Sequence, residues 1–309
     1  MTNILKYIEY FAHISQITSI MLWTGALVVS KIITKDNSPF LIVPLQMSIG
    51  TIIIYLFIIL SNKKIDLKGF YSGIIFGLVA PGMAFSLFML ASTKTDAISI
   101  IIFWSLIPLL TPVFGKLFLS EKISPILYVG LSIALIGSFF LIQMRTSYGS
   151  SNIYGNFIAL GGVCCSIIGH IVGRVFNLKH SKPIDMALGQ VFGATIASSF
   201  ILFIYLIFNE HELEILNFEN ILEILVQPSF VYLTIFATAL NFTLYNFALS
   251  KIPVAWVSFY SVFIPPLGAI LSYYILNEAL FINDVIAISV VLIGGLIPSM
   301  HKIIFLKTK

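Results

Sequence analysis

The sequence predicts an all-α polytopic membrane protein: ten transmembrane helices as two inverted five-helix repeats. Three observations carry this. The 309 residues are 59% apolar and only 10% charged, with mean hydropathy +1.03. An ordinary globular domain is about 45–50% apolar and about 25% charged, so a soluble chain of this size could not cover its apolar surface. Apolar runs of helical length recur ten times, and landmarks of the first half return in the second. This composition excludes a soluble enzyme, a nucleic-acid binder and a disordered linker. The pI near 8.9 reports orientation in lipid rather than a nucleic-acid partner.

A helix needs about 20 residues to cross a hydrocarbon core of about 30 Å. The runs are 14–33, 40–60, 70–90, 96–118, 124–143, 154–176, 184–208, 229–249, 254–276 and 283–303. The first reads as a retained span, because Lys6 and Glu9 precede it and it is of full spanning length. Asp36-Asn37-Ser38-Pro39 and Ser61-Asn62-Lys63-Lys64 separate the first three spans. Span 5 opens on Ser124 as N-cap with Pro125 at the first helical position. Cys164 and Cys165 in span 6 point to different faces, form no staple and have no metal-binding spacing, so they read as small apolar fillers. Residues 209–228 carry Glu210, Glu212, Glu214, Glu219 and Glu223 without Lys or Arg. Ile221, Leu222, Ile224 and Leu225 there predict a short amphipathic helix on the membrane surface. Asn283-Asp284 starts span 10.

With ten spans, both termini share a side. That side holds thirteen Lys and Arg: Lys6, Lys63, Lys64, Lys68, Lys116, Lys122, Arg174, Lys179, Lys182, Lys251, Lys302, Lys307 and Lys309. The other holds four: Lys31, Lys35, Lys94 and Arg145. The bias puts both termini in the cytoplasm.

Residues 91–137 align with 248–294 at an offset of 157, pairing Ala91 with Ala248, Lys94 with Lys251, Pro108 with Pro265, Glu121 with Glu278 and Gly137 with Gly294. Earlier in each half the offset is 144, pairing Gly25 with Gly169, Pro39 with Pro183 and Gln46 with Gln190. The acidic stretch 209–228, in place of the short 61–68, accounts for the difference. The halves are 1–147 and 148–309. Five spans per half turn the second copy upside down, and inverted repeats of this kind place a site near the midplane between the halves.

The first copy holds Leu106-Ile107-Pro108, Leu119-Ser120-Glu121-Lys122 and a Gly-bearing span 5; the second reads Phe263-Ile264-Pro265 and Leu276-Asn277-Glu278. This pattern resembles the EamA repeat of the drug/metabolite transporter superfamily over nearly the whole chain. The resemblance implies a ten-helix transporter with a central cavity, spans 5 and 10 outside it, and a small organic substrate, often moved outward. Ala287, where the first copy has Gly130, departs from the pattern and loosens the expectation for span 10.

Pro108 and Pro265 each remove a hydrogen bond near the middle of a span and predict paired hinges beside a wet cavity, with the carbonyls of Trp104 and Ser261 left free. Pro112 and Pro266 weaken further turns. Gln46 and Gln190 must face the bundle, as substrate ligands or as helix glue. The same two readings apply to Asn241, Tyr245 and Asn246, of which Asn241 and Tyr245 share a face. Trp23, Trp104 and Tyr260 can stack a planar ligand, plug a gate or anchor at an interface. His170 can bind substrate, carry a proton or pack a helix; Arg174 and Lys31 read as residues that snorkel to lipid phosphate. Glu121 and Glu278 read as acceptors for the amides that start the following helices.

No Asp or Glu falls in the middle third of any span, which points to facilitated transport or exchange, or to coupling through His170 alone. An uncharged core suits a neutral or zwitterionic substrate, an amino acid or a nucleoside-like compound. No HExxH, GxSxG or P-loop lysine motif is present, so no enzyme, cofactor or metal is expected. A membrane-embedded enzyme or a channel remains the rival from another class. The abundance of Lys over Arg, with many Ile and Asn, points to an AT-rich genome and to an alternative role as importer or exchanger of a host metabolite such as S-adenosylmethionine. The expected setting is the inner membrane of a bacterium, with membrane lipid and a small molecule as partners, no nucleic acid, and a monomeric or homodimeric state.

Overall fold

The computed structural model describes residues 2–119, 125–147, 151–175, 182–252, 257 and 260–307. Every described element is helical. Helices α1 (Thr2–Ile33) and α2 (Pro39–Leu60) are continuous. The third run is interrupted: α3 (Leu67–Gly77) passes through a kinked segment, Leu78–Met83, with wide π-type turns broken at Ala80, into α4 (Ala84–Ser92). The fourth is split into α5 (Ala97–Ser105) and α6 (Ile107–Leu119). Then come α7 (Pro125–Ser147), α8 (Ile153–Val175) and α9 (Pro183–Phe208). A 3-10 turn, Glu210–Leu216, and α10 (Phe218–Val226) lead into α11 (Pro228–Val231), a π-helical segment, Tyr232–Leu240, and α12 (Asn241–Lys251). Helices α13 (Ile264–Leu276) and α14 (Ile282–Lys307) close the chain. Among the described residues, eight helical runs are long and apolar enough to cross a membrane, and Ile264–Leu276 and Ile282–Ile297 are shorter apolar helices. Pro125 begins α7 as expected. Ser124, Glu121, Lys122 and the Arg174 side chain lie outside the described residues.

Local chemistry sets the helix starts. Asp66 accepts from the Lys68 amide at 3.2 Å to begin α3, and Asp96 from the Ser99 amide at 3.0 Å to begin α5. Proline opens α2 and α9 after an extended residue. Asn277, at φ 54°, takes the left-handed position that ends α13.

Small residues set the packing. Gly73 and Gly77 on α3 meet Gly189 and Gly193 on α9. A Cβ at Gly77 would stand 2.0 Å from the Gln190 carbonyl oxygen, and one at Gly189 2.0 Å from that of Phe70. Small residues four apart on both helices let the backbones touch, and dispersion then replaces the hydrophobic drive that lipid cannot supply. Helices α7 and α14 make a second such pair: Gly294 lies against Gly130 and Ala134, and Gly137 against Ala287 and Val290. Ala287 is itself buried, so its departure from the repeat pattern is absorbed; the close approach is made by Gly294.

Alternate connections lie at opposite ends of the bundle. At one end Thr34 shares a 2.9 Å hydrogen bond with Ser92, Asn37 donates to Gln227 at 3.2 Å, the Asn152 amide donates to Thr95 at 3.2 Å, and Arg145 donates to the Ala279 carbonyl at 2.9 Å. At the other, the Asp66 amide donates to Asp185 at 2.9 Å and Lys182 to the Lys64 carbonyl at 3.2 Å. The acidic stretch differs in part from expectation. Ile221, Ile224 and Leu225 pack against the protein core, whereas Phe218, Leu222 and Val226, four residues apart, form an exposed apolar stripe.

Candidate functional site

The continuous α1 carries Ala12, Gln16, Ser19, Trp23, Ala26 and Ser30 along one face at helical spacing. Its Trp23–Ser30 part walls a narrow cavity that opens at its mouth. Gln46 of α2, Phe85 and Phe88 of α4, Trp104 of α5 and Leu233 of the π-helical segment complete the principal lining. Among the described residues, no lining residue is ionisable and none comes from α7 or α14.

Aromatic rings floor this cavity. Trp23 lies 4.7 Å from Tyr245 and 6.2 Å from Trp104, centroid to centroid. Trp104 lies 4.8 Å from Phe88 and 5.5 Å from Phe85. Tilted packing at these distances matches ring edges to ring faces. Tyr260 packs on the same cluster as Tyr245 and Trp23 but is not among the cavity-lining residues; its hydroxyl shares a 3.0 Å hydrogen bond with His13 Nδ1, near the start of α1. Sequence reasoning missed His13, whose only signal was a polar ring early in an apolar run.

Gln46 and Gln190 have equivalent tasks in the two halves. Gln46 Nε2 donates to the Leu233 carbonyl at 3.3 Å and to Thr238 at 2.8 Å, both in the segment Tyr232–Leu240. Gln190 Nε2 donates to the Ala80 carbonyl at 3.4 Å, in the segment Leu78–Met83. Ala80 has non-helical dihedrals, φ −136° and ψ 113°. Each glutamine thus reaches a carbonyl that a distorted turn in the other half leaves available. The first distortion is a kink at Ala80 and the second a π-helical stretch, and the two sit in corresponding runs. They differ on the acceptor side. Gln190 Oε1 accepts from Asn246 at 3.1 Å, whereas Gln46 Oε1 has no partner among the described residues.

Both prolines stand at helix starts. Pro108 lies in the first turn of α6, one residue pair beyond the end of α5, and Pro265 in the first turn of α13. One detail is corrected. The Trp104 carbonyl, expected to be free, accepts from an amide at the break, as does that of Phe103, because the chain tightens there into shorter-range bonds. Asn241 is wholly buried with both amide atoms unpartnered among the described residues. His170 packs its ring 5.7 Å from Phe76 on α3 and is not among the cavity-lining residues.

A buried ionic cluster lies at the end of the bundle that holds the 93–96 turn. Arg145 pairs with Asp96 at 3.1 Å and Asp284 at 3.0 Å. Glu278 accepts from the amides of Ala97 at 2.9 Å and Ile98 at 3.4 Å. It therefore caps α5, in the first half, rather than the following α14. Burial, and then the charge of Asp96, push the Glu278 carboxyl above the usual range. Lys31 donates to the Thr95 carbonyl, so it is tied into the protein instead of reaching for lipid phosphate.

A solved crystal structure superposes with TM-score 0.65 at 18% identity, covering 94% of this chain and 96% of that one; at that identity the likeness concerns the fold. No curated protein matches the sequence. The EamA-like transporter family matches twice, over residues 11–143 and 153–300. A duplicated helical bundle, two runs distorted at corresponding places and a cavity with no ionisable wall among the described residues agree with that match: the chain belongs to the EamA-like transporter family.

Proposed function

We propose that this transporter is a secondary carrier that moves a small neutral or zwitterionic metabolite by alternating access. Ten crossings with the halves inverted underlie the proposal; connections that alternate between the two ends of the bundle support it. The observation that carries it is the reciprocal bracing of the halves. Gln46 holds the distorted run of the second half and Gln190 that of the first, so bending one run draws on the other. Equivalent breaks at Pro108 and Pro265 provide the flexing points. Trp23, Gln46 and Trp104 are the proposed first contacts, backed by Tyr245, with Gln190 and Asn241 in support, while His170 and Tyr260 stand farther along the path.

The proposed setting is the cytoplasmic membrane of a bacterium with both termini inside and transport directed outward; the direction rests on the family resemblance. Reconstitution into liposomes with a panel of labelled neutral metabolites tests the carrier. Uptake that saturates and accelerates with unlabelled substrate on the far side is expected. Flux that is linear in concentration without such exchange would indicate a channel. Reporter tags at Met1 and near Tyr148 are expected on opposite faces of the membrane.

A further inference from the structure

Helix α10 has three different faces. Ile221, Ile224 and Leu225 pack on the protein core. Glu219, Asn220 and Glu223 are exposed. Phe218, Leu222 and Val226 are apolar and are nonetheless 70%, 43% and 77% exposed. At about 100° per residue, the three faces point roughly a third of a turn apart. With water on both free sides, the apolar face would only cost free energy. A helix lying where protein, lipid and water meet uses all three.

The neighbouring spans fix its level. The membrane-length run Pro183–Phe208 ends just before the 3-10 turn, and Pro228–Lys251 begins directly after Gln227. Helix α10 therefore lies between the ends of two crossings, at the membrane boundary of one end of the bundle. Asn37, in the turn between α1 and α2, donates to the Gln227 side chain and holds α10 to a second connection at that end. Phe203, Ile207 and Phe208 of α9 are exposed on a spanning helix, a surface that lipid covers, and the exposed apolar run continues along the chain through Leu213 and Leu216 to Phe218. Three side chains fall far short of the about 800 Å² that each partner of a stable protein interface buries. Lipid takes such a stripe without needing a matching surface.

We propose that α10 is an interfacial foot. Phe218, Leu222 and Val226 seat in the glycerol and upper acyl region of the leaflet at that end, and Glu219 and Glu223 turn to water. Residues 209–228 contain no Lys or Arg to pair with an anionic headgroup, so neutral lipid suffices.

The full chain in phosphatidylcholine vesicles tests this. Nitroxide labels are placed singly on Leu222→Cys, Val226→Cys, Glu219→Cys and Glu223→Cys, in a background of Cys164→Ala and Cys165→Ala. Oxygen, which concentrates among acyl chains, and a water-soluble nickel chelate each relax the label they reach. The labels at Leu222→Cys and Val226→Cys are expected to favour oxygen severalfold over the other two and to report insertion of about 5–10 Å. Equal nickel access at all four positions overturns the proposal. Low access to both reagents at the first two assigns the stripe to a protein contact, a second copy where dipolar broadening accompanies it, and overturns it equally. Insertion that appears only after phosphatidylglycerol is added overturns the neutral seat. The unmodified protein gives an independent reading where a labelled variant fails to fold. Photolysis in vesicles of a phosphatidylcholine with an aryl diazirine on its acyl chain is expected to leave adducts on residues 218–226 at a yield near that on Phe203. Adducts on Phe203 with none on 218–226 would overturn the foot.

Discussion

Arg145 Nη1 lies 3.1 Å from Asp96 Oδ1 with the two side chains 1% and 6% exposed. Nη2 of the same residue reaches Asp284 at 3.0 Å. One guanidinium at the end of α7 therefore holds the first turn of α5 and the first turn of α14, joining the halves at one end. Removing one partner of a buried pair leaves an uncompensated charge, at a cost of about 3–5 kcal/mol. Arg145→Ala is expected to melt well below the wild type in detergent, and adding Asp96→Asn with Asp284→Asn to recover part of the loss. An Arg145→Ala melt equal to the wild type would show that the cluster contributes no stability.

Glu278 gives the cluster a pH dependence. Its carboxyl titrates above the ordinary range because it is buried and faces Asp96. Between the ordinary value and the raised one, the folded chain keeps a proton that the unfolded chain has lost. Stability from this group is complete below that window and falls as pH rises through it. Melting temperatures recorded from about pH 4 to about pH 8 are expected to show this fall in the wild type and a flatter profile in Glu278→Gln. Equal slopes in the two proteins would count against the shift.

Gln190 is expected to act on stability rather than on substrate affinity, since both ends of its amide are engaged within the protein, with Ala80 and Asn246. Gln190→Leu leaves the Ala80 carbonyl and the Asn246 amide short of a partner, about 1–3 kcal/mol. Its melt is expected to drop while the KM of residual transport stays near the wild-type value. A raised KM with an unchanged melt would assign Gln190 to substrate instead.

The difference between the two glutamines also shows where sequence reasoning stops. A polar amide inside an apolar run must face the bundle, and the offset of 144 made Gln46 and Gln190 a pair. Which carbonyl each would meet depended on distorted turns, and nothing in the stretch from Tyr232 to Leu240 marks one. The breaks at Pro108 and Pro265 were legible because proline has no amide hydrogen. The ionic cluster was not: Asp96, Arg145 and Asp284 lie near helix ends, where charges ordinarily meet water. Their burial comes from connections distant in sequence folding over one another, which no local periodicity encodes. Trp23 and Trp104 stood out as large rings deep in spans, but their neighbours Phe85 and Phe88 were lost among 27 phenylalanines.

The glycine contact between α3 and α9 yields a sharper test of packing. A Cβ at Gly77 would meet the Gln190 carbonyl oxygen at 2.0 Å and the carbonyl carbon at 2.7 Å, both backbone atoms. No rotamer change relieves such a clash, so the helices must separate. Gly77→Ala is expected to cost at least about 1–3 kcal/mol, and Gly77→Val to abolish the folded-protein peak in size-exclusion chromatography. Gly161, whose Cβ would have only an ordinary 3.5 Å contact with Leu87, makes the control: Gly161→Ala is expected to behave as the wild type.

The proline breaks allow the mechanism to be separated from the scaffold. Pro108→Ala and Pro265→Ala each restore an amide hydrogen to a helix start that lacks one. A restored bond is worth about 1 kcal/mol and favours the straightened helix in every state of the cycle. If the breaks flex during transport, that bond must be broken once per turnover. The maximal rate is then expected to fall about fivefold, with binding affinity near the wild-type value because neither proline lines the cavity. Combining the two substitutions should deepen the loss, since the breaks lie in different halves; Ile107 and Ile264 beside them share one hydrophobic cluster, so the two effects need not add. Maximal exchange rates in liposomes, compared with calorimetric affinities of the same variants, separate the outcomes. A rate that survives both substitutions would leave the breaks a role in packing alone, and the flexing would then have to reside in Leu78–Met83 and Tyr232–Leu240.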